Sequence, residues 1–166
     1  MATDSQPAFA CDAMMKGLAR WLRACGYDAT WTYGIDDVEL LRQAVREQRI
    51  VLTADSGILA RRAVREGRPR ALYLPNDLPP REQVRRTLRE FALPLLPARC
   101  MACGGTMEPV DKESVRGEAP PRTFARVDHF QRCTRCGRLL WKGTHWDRID
   151  GLRRAMDEPD TSGNRA

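Results

Sequence analysis

The sequence predicts an α/β protein, a parallel sheet flanked by helices with a small cysteine-held module after it. Three observations predict this. Short runs of β-forming residues alternate with helical periodicity along residues 9–93, the pattern of βαβ units whose strands lie parallel beneath helices on both faces. Near Pro97 the texture changes to Gly, Pro and Cys with little helical spacing. Four of the six cysteines lie beyond that point in two CxxC pairs, Cys100 with Cys103 and Cys133 with Cys136. The expected division is 1–97, 98–156 and a polar tail over 157–166 that lacks the apolar content to fold.

Taken in order, "AFAC" reads as the first strand and ends at Asp12. Met14, Leu18, Leu22 and Cys25 then recur at helical spacing, Met15 and Ala19 widen the stripe, and Gly26 supplies the stop. "DATWTY" is a strand by its β-branched and aromatic content, and "DVELLRQAVREQ" a helix opened by Asp36 with Glu39 three residues on, a capping box. "RIVLTA" is the third strand, "GILARRAVREG" the third helix, "RALYLP" the fourth strand and "PREQVRRTLREFAL" the fourth helix. Past the boundary, "RGEAPPRTFARVDHF" reads as a loop leading into a strand and "IDGLRRAM" as a short helix.

The net charge of +6 divides evenly, with 15 basic against 12 acidic residues up to Pro97 and 13 against 10 beyond it. Only Lys16, Lys112 and Lys142 of the 28 basic residues are lysine. Two explanations stand level: an arginine-favouring genome, or a surface selected for polyanions, which guanidinium groups contact in bidentate fashion. The start, "MATDSQPAF", has no basic segment followed by an apolar one, and no apolar run nears the roughly 18 residues of a membrane span. A soluble cytoplasmic protein with reduced thiols and no membrane partner is expected.

Each strand is followed by an acid: Asp12, the pair Asp36 and Asp37, Asp55, and Asp77. In a parallel sheet all carboxyl ends lie on one edge, where ligands bind. Taken singly, each acid reads as a helix N-cap, a position aspartate favours. Taken together they repel and lose hydration, and such a cluster is usually retained where a cation offsets the repulsion. Hard oxygen donors suit Mg²⁺ or Mn²⁺, and phosphodiester hydrolysis is the reaction that follows. Lys16, Arg20 and Arg23 fall at i, i+4 and i+7 just after Asp12, either as a phosphate track or as a solvated helix face.

Each CxxC pair is followed by glycine, and 29 residues separate the pairs. Two such turns complete a closed tetrahedral zinc site with no position for water, hence a structural one. A redox role for either pair is the weaker expectation, since a thioredoxin-type CxxC follows a strand and opens a long helix. Near the second pair, "LLWKGTHWDRI" interleaves Trp141, Lys142, His145, Trp146 and Arg148, suited to base stacking and phosphate contact. The competing reading makes at least one of the two tryptophans the small core of the module. Cys11 and Cys25 are read as buried small hydrophobes.

"CDAMMKGLARWLRACGYDA", "DDVELL", "RIVLTADSGIL", "RCMACGGTME" and "CTRCGRLLWKGTHWDR", in that order, resemble the Mut-seven C-terminal RNase family over roughly Phe9 to Met156. The resemblance implies a PIN-like α/β domain with a zinc ribbon, and metal-dependent cleavage of RNA. It implies Asp12, Asp37 and Asp55 as metal ligands, Asp36 beside them, Lys16 and Arg20 as basic site positions and Thr53 as the family's threonine. Asp77 repeats no family motif, and Ala54 stands where Arg or Lys is common. The leading expectation is a ribonuclease using Mg²⁺ or Mn²⁺, with RNA, the ribosome or tRNA as partner and a zinc ribbon that helps hold RNA. The alternative is a non-catalytic RNA- or ribosome-binding protein working through its basic ribbon, and a weaker third is a phosphate-accepting receiver-like pocket.

Overall fold

A computed structural model of the chain describes residues 6–157. The first part runs β1 (Phe9–Cys11), α1 (Lys16–Ala24), β2 (Ala29–Trp31), α2 (Asp37–Arg46), β3 (Ile50–Thr53), α3 (Ser56–Ala60), α4 (Arg62–Arg65), β4 (Ala71–Tyr73) and α5 (Pro80–Glu90). Its four strands pair in parallel in the order β2-β1-β3-β4. The mixed α/β architecture with a parallel sheet flanked by helices is the one expected.

Alternation of side chains along the strands divides the core in two. Phe9 and Cys11 of β1 and Ile50 and Leu52 of β3 face one layer, packed by Leu18 and Leu22 of α1 and Val84 and Leu88 of α5. Ala10 and Val51, the residues between, face Leu40, Ala44, Ile58 and Val64 on the other side. The single helix expected over residues 57–67 breaks at Arg61, whose φ of -64° and ψ of 135° are extended. The six-residue step from Ile58 to Val64 explains it, because in one continuous helix they would point about 120° apart. The break lets both face the same core.

The second part contains β5 (Met107–Val110), β6 (Phe130–Cys133) and β7 (Leu139–Trp141), antiparallel in that order. Its small core is Val115, Ala119, Phe130 and Leu139, with Trp141 and Phe124 against Phe130. Trp141 is thus a core residue of this layer. The loop expected before β6 instead holds α6 (Pro121–Arg126), opened by proline at its first turn, where no intrahelical N–H bond is lost.

The last helix, α7 (Thr144–Asp157), is longer than the eight-residue segment expected and returns to the first layer. Met156 and Leu152 enter the core around α1 and α5, Arg153 donates to the Leu96 carbonyl, and Arg85 of α5 donates to the Ala155 carbonyl. The connector between the two parts is also packed: Tyr27 Oη donates to the Pro94 carbonyl at 2.6 Å and Leu96 N–H to the Cys25 carbonyl. Of the polar tail expected over 157–166, Asp157 ends α7, and the remainder lies outside the described residues. Among the described residues no helix is long and apolar enough to cross a membrane.

Candidate functional site

Because the chain passes from β1 to β2 on one side and then to β3 on the other, the strand order reverses between β1 and β3. In open parallel sheets ligands bind beyond the carboxyl ends at such a switch point. Asp12 follows β1 and Thr53 closes β3, and their strands are hydrogen-bonded neighbours, with Asp12 N–H donating to the Leu52 carbonyl.

Asp12 is 8% exposed. Its Oδ2 accepts the Thr53 hydroxyl at 2.7 Å and its Oδ1 the Ala13 N–H at 2.6 Å. Thr53, fully buried, uses the same oxygen to accept the Asp55 N–H at 2.9 Å. One hydroxyl therefore links the Asp12 carboxylate to the backbone N–H of Asp55, while the Asp55 carboxylate caps α3, its Oδ1 accepting the Gly57 N–H at 2.7 Å.

The remaining acids are engaged differently. Asp36 is the N-cap of α2 and accepts the Glu39 N–H at 2.9 Å, the cap read from the sequence. Asp37 lies 3.3 Å from the Arg61 guanidinium, which the break between α3 and α4 brings to it. Asp77 is exposed in the turn before α5, and its neighbour Asn76 donates to Met14 Sδ, drawing this turn toward the one after β1. The ligand atoms of Asp12, Asp37 and Asp55 are not gathered within 4.8 Å of one another; among the described residues only the four cysteines form such a group.

The expected basic stripe on α1 is corrected at one position. Lys16 and Arg20 are exposed, and Lys16 Nζ stands 5.1 Å from the ring centre of Trp31. Arg23 is 7% exposed and turned inward, its guanidinium donating to the carbonyls of Ala29, Met101 and Ala102 at 2.8, 3.1 and 2.9 Å. Those bonds use its Nε and Nη1 donors and hold the guanidinium on the buried side of α1, away from the exposed face that carries Lys16 and Arg20. Arg23 instead ties α1 and β2 to the first cysteine turn, and Arg99 N–H adds a bond back to the Arg23 carbonyl at 2.8 Å.

At that turn the four cysteine sulfurs lie within 4.8 Å of one another, with 3.8 Å between Cys100 and Cys136 and 3.4 Å between Cys103 and Cys133. Sulfurs about 2.3 Å from a central Zn²⁺ in a tetrahedron stand about 3.8 Å apart, so the cluster could hold zinc. Burial opposes ionisation of Cys133, yet the Cys136 and Arg135 N–H groups point at its sulfur and draw the thiol down to about 6. Burial pushes Cys103 up to about 12. Gly104 and Gly137, the glycines after each pair, adopt φ of 80° and 71°. Gly105 is required by space: a Cβ there would stand 2.6 Å from Cys133 Sγ.

Lys142 is exposed and Trp146 half-buried on α7, while the side chain of His145 lies outside the described part of the structure. Sequence reasoning passed over the aromatic pair beside Asp12. Trp31 donates its indole N–H to the Ala13 carbonyl at 2.7 Å, and Tyr33 meets it edge to face at 6.4 Å. The signal was two aromatic residues spaced i, i+2, on one side of an extended strand end.

The family model described as Mut7-C RNAse domain matches residues 7–152. No curated protein and no solved structure matches the chain. An RNAse domain implies RNA as the substrate class.

Proposed function

The chain belongs to the Mut7-C RNAse domain family, and we propose that it is a metal-dependent ribonuclease that hydrolyses RNA phosphodiester bonds at the carboxyl edge of its parallel sheet. The observation that carries this reading is the junction of Asp12, Thr53 and Asp55 at the strand-order switch. Each carboxylate oxygen accepts about two hydrogen bonds. With one used on each Asp12 oxygen and one on Asp55 Oδ1, capacity for a hard cation remains. That suits Mg²⁺ or Mn²⁺, which bind through one or two carboxylates with waters and substrate phosphate completing the shell. Asp12 and Asp55 would hold the ion, with Asp37 the third candidate; the ion supplies a Lewis acid and a water of lowered pKa.

The chain's own groups do the rest. Thr53 and the Ala13 N–H fix the Asp12 carboxylate in one rotamer, and preorganised charge needs no rearrangement during reaction. Lys16 and Arg20 meet the phosphate backbone. Asp36 holds the start of α2, and Asp77 is assigned the outer rim. The zinc ribbon, with Lys142, Trp146 and His145, extends the contact with RNA, ribosomal RNA and tRNA included among its candidate targets. The bond from Arg23 to the cysteine turn keeps ribbon and sheet in fixed relation.

The test is cleavage of end-labelled RNA by zinc-loaded protein with Mn²⁺ or Mg²⁺. Asp12→Asn and Asp55→Asn, which retain an acceptor for Thr53 and Gly57, are expected to lose at least about a hundredfold in rate. Equal cleavage by wild type and both variants overturns the assignment. Salt-sensitive binding with no turnover in any of them would favour a binding protein working through its basic ribbon.

A further inference from the structure

We infer that Tyr33, Trp31 and Lys16 form a base-stacking subsite beside the acidic edge, and that the RNA engaged there is single-stranded. This rests on the ribonuclease reading above and names the substrate class of that site.

A single exposed apolar side chain is ordinary, whereas several on one part of the surface mark a binding site. Of the five that stand exposed among the described residues, Met14, Tyr33 and Tyr73 follow or end strands on the edge that carries the acids, with Met14 and Tyr33 after the neighbouring strands β1 and β2 and Tyr73 on the far outer strand β4. Tyr33 is 88% exposed and Met14 64%. The Tyr33 ring nonetheless has an aromatic neighbour. It meets Trp31 edge to face, and Trp31 is pinned by its indole N–H to the Ala13 carbonyl, next to Asp12. Lys16 covers the Trp31 ring and presents its ammonium at the same corner. An exposed aromatic face with a cation on the neighbouring ring is what a nucleotide requires, a face for the base and a charge for its phosphate.

The recess next to Tyr33 sets the polarity of that arrangement. It has a volume of about 400 Å³ and is lined by Thr32, Asp36, Glu39, Gln43 and Arg46 along with Tyr33 itself. Arg46 stands 3.8 Å from Glu39 and offsets that carboxylate, leaving the recess with a net negative charge that disfavours a phosphate and with acceptors for a base edge, so the base lies over Tyr33 and the backbone on the Lys16 and Arg20 side. In a duplex both faces of each base are covered by its neighbours, and stacking on a protein ring needs an unpaired, splayed base. Single strands, loops and ends are therefore the RNA this edge accepts.

The test uses the zinc-loaded full chain carrying Asp12→Asn, so that binding is read without cleavage. The probes are a fluorescent oligoadenylate strand, the same strand annealed to its complement, and the same strand with abasic positions. Tyr33→Ala is expected to weaken binding of the intact single strand about tenfold, to leave duplex and abasic binding unchanged, and Tyr33→Phe to bind like the parent. Unaltered single-strand binding by Tyr33→Ala, or an equal loss with Tyr33→Phe, overturns the subsite, and the second outcome assigns Tyr33 a hydroxyl contact. Binding that depends on Tyr33 in a protein whose wild type cleaves nothing would remove the ribonuclease reading and leave the subsite standing. Cleavage that persists with Tyr33→Ala binding unchanged would do the reverse.

Discussion

Thr53 has one hydroxyl proton and gives it to Asp12, leaving its oxygen to accept the Asp55 N–H. Thr53→Val keeps the branched shape and removes both bonds, leaving a nearly buried carboxylate short of a donor. It is expected to cost about 1–3 kcal/mol in urea unfolding and to slow cleavage at least tenfold, while Thr53→Ser stays near wild type. An active, stable Thr53→Val would remove Thr53 from the site. That Asp55 is both cap and site candidate was legible in "LTADSG"; that Thr53 joins it to Asp12 was not, because the bond spans 41 residues. Arg23 was misread for a related reason. Helical spacing put it with Lys16 and Arg20, but three carbonyls from β2 and the cysteine turn fix it on the buried side. Cys11, beside Asp12, gives a pH test. Burial pushes its thiol from 9.0 to about 12, with Arg23 and Arg49 opposing. The unfolded chain loses this proton first, so the native state is penalised as pH rises from 9.0 toward about 12, by about 1.4 kcal/mol per pH unit. The stability gap between wild type and Cys11→Ala should accordingly narrow between about pH 8 and about pH 10. A gap that stays constant would mean that Cys11 ionises as readily when folded.

Elements were most legible where periodicity and burial agree. All four parallel strands fall within the runs that predicted them, since each is an apolar or β-branched stretch set off by helical spacing or turn residues. The helix over 57–67 was read as one because helix-forming residues run through it; the demand that Ile58 and Val64 share a core, visible only in three dimensions, divides it. The extra turns of α7 escaped because "THWDR" has no apolar stripe, and the helix is sustained by Leu152 and Met156 docking on the other layer. The cysteine turns were readable from spacing alone, but the close approach at Gly105 was not. Gly105→Ala pushes a methyl into Cys133 Sγ and is expected to cut bound zinc well below the wild-type stoichiometry, measured by metal release to a chromogenic chelator. Stripping zinc from wild type should expose the β5, β6 and β7 amides to hydrogen exchange and leave the β1 and β3 amides protected. Full zinc occupancy in Gly105→Ala would show that the turn has room to spare.

At the scale of the whole molecule, the basic composition is less available to RNA than the +6 charge suggests. Arg49 faces Asp28 and Glu47, Arg132 faces Glu118, and Arg153 and Arg154 share Asp150. Lys16 and Arg20 remain at the acidic edge, where a phosphate backbone would pass. The architecture sets that edge by topology: four parallel strands put every following acid on one side, and the order β2-β1-β3-β4 singles out the ends of β1 and β3. The sequence predicted the shared edge but not the strand order, which depends on how the helices partition between the two faces. Of the five candidate acids, Asp12 and Asp55 follow the two strands that meet at the switch point and are joined through Thr53 by the Asp55 backbone N–H, while Asp36 caps α2 and Asp37 faces Arg61. The most direct measurement is an anomalous difference map at the manganese edge from crystals of the zinc-loaded protein grown with Mn²⁺. A manganese peak coordinated by Asp12 and Asp55, and absent from Asp12→Asn crystals, is the predicted result. Crystals that take up Mn²⁺ elsewhere and leave both carboxylates without an ion would contradict the assignment of this edge as a metal-dependent site.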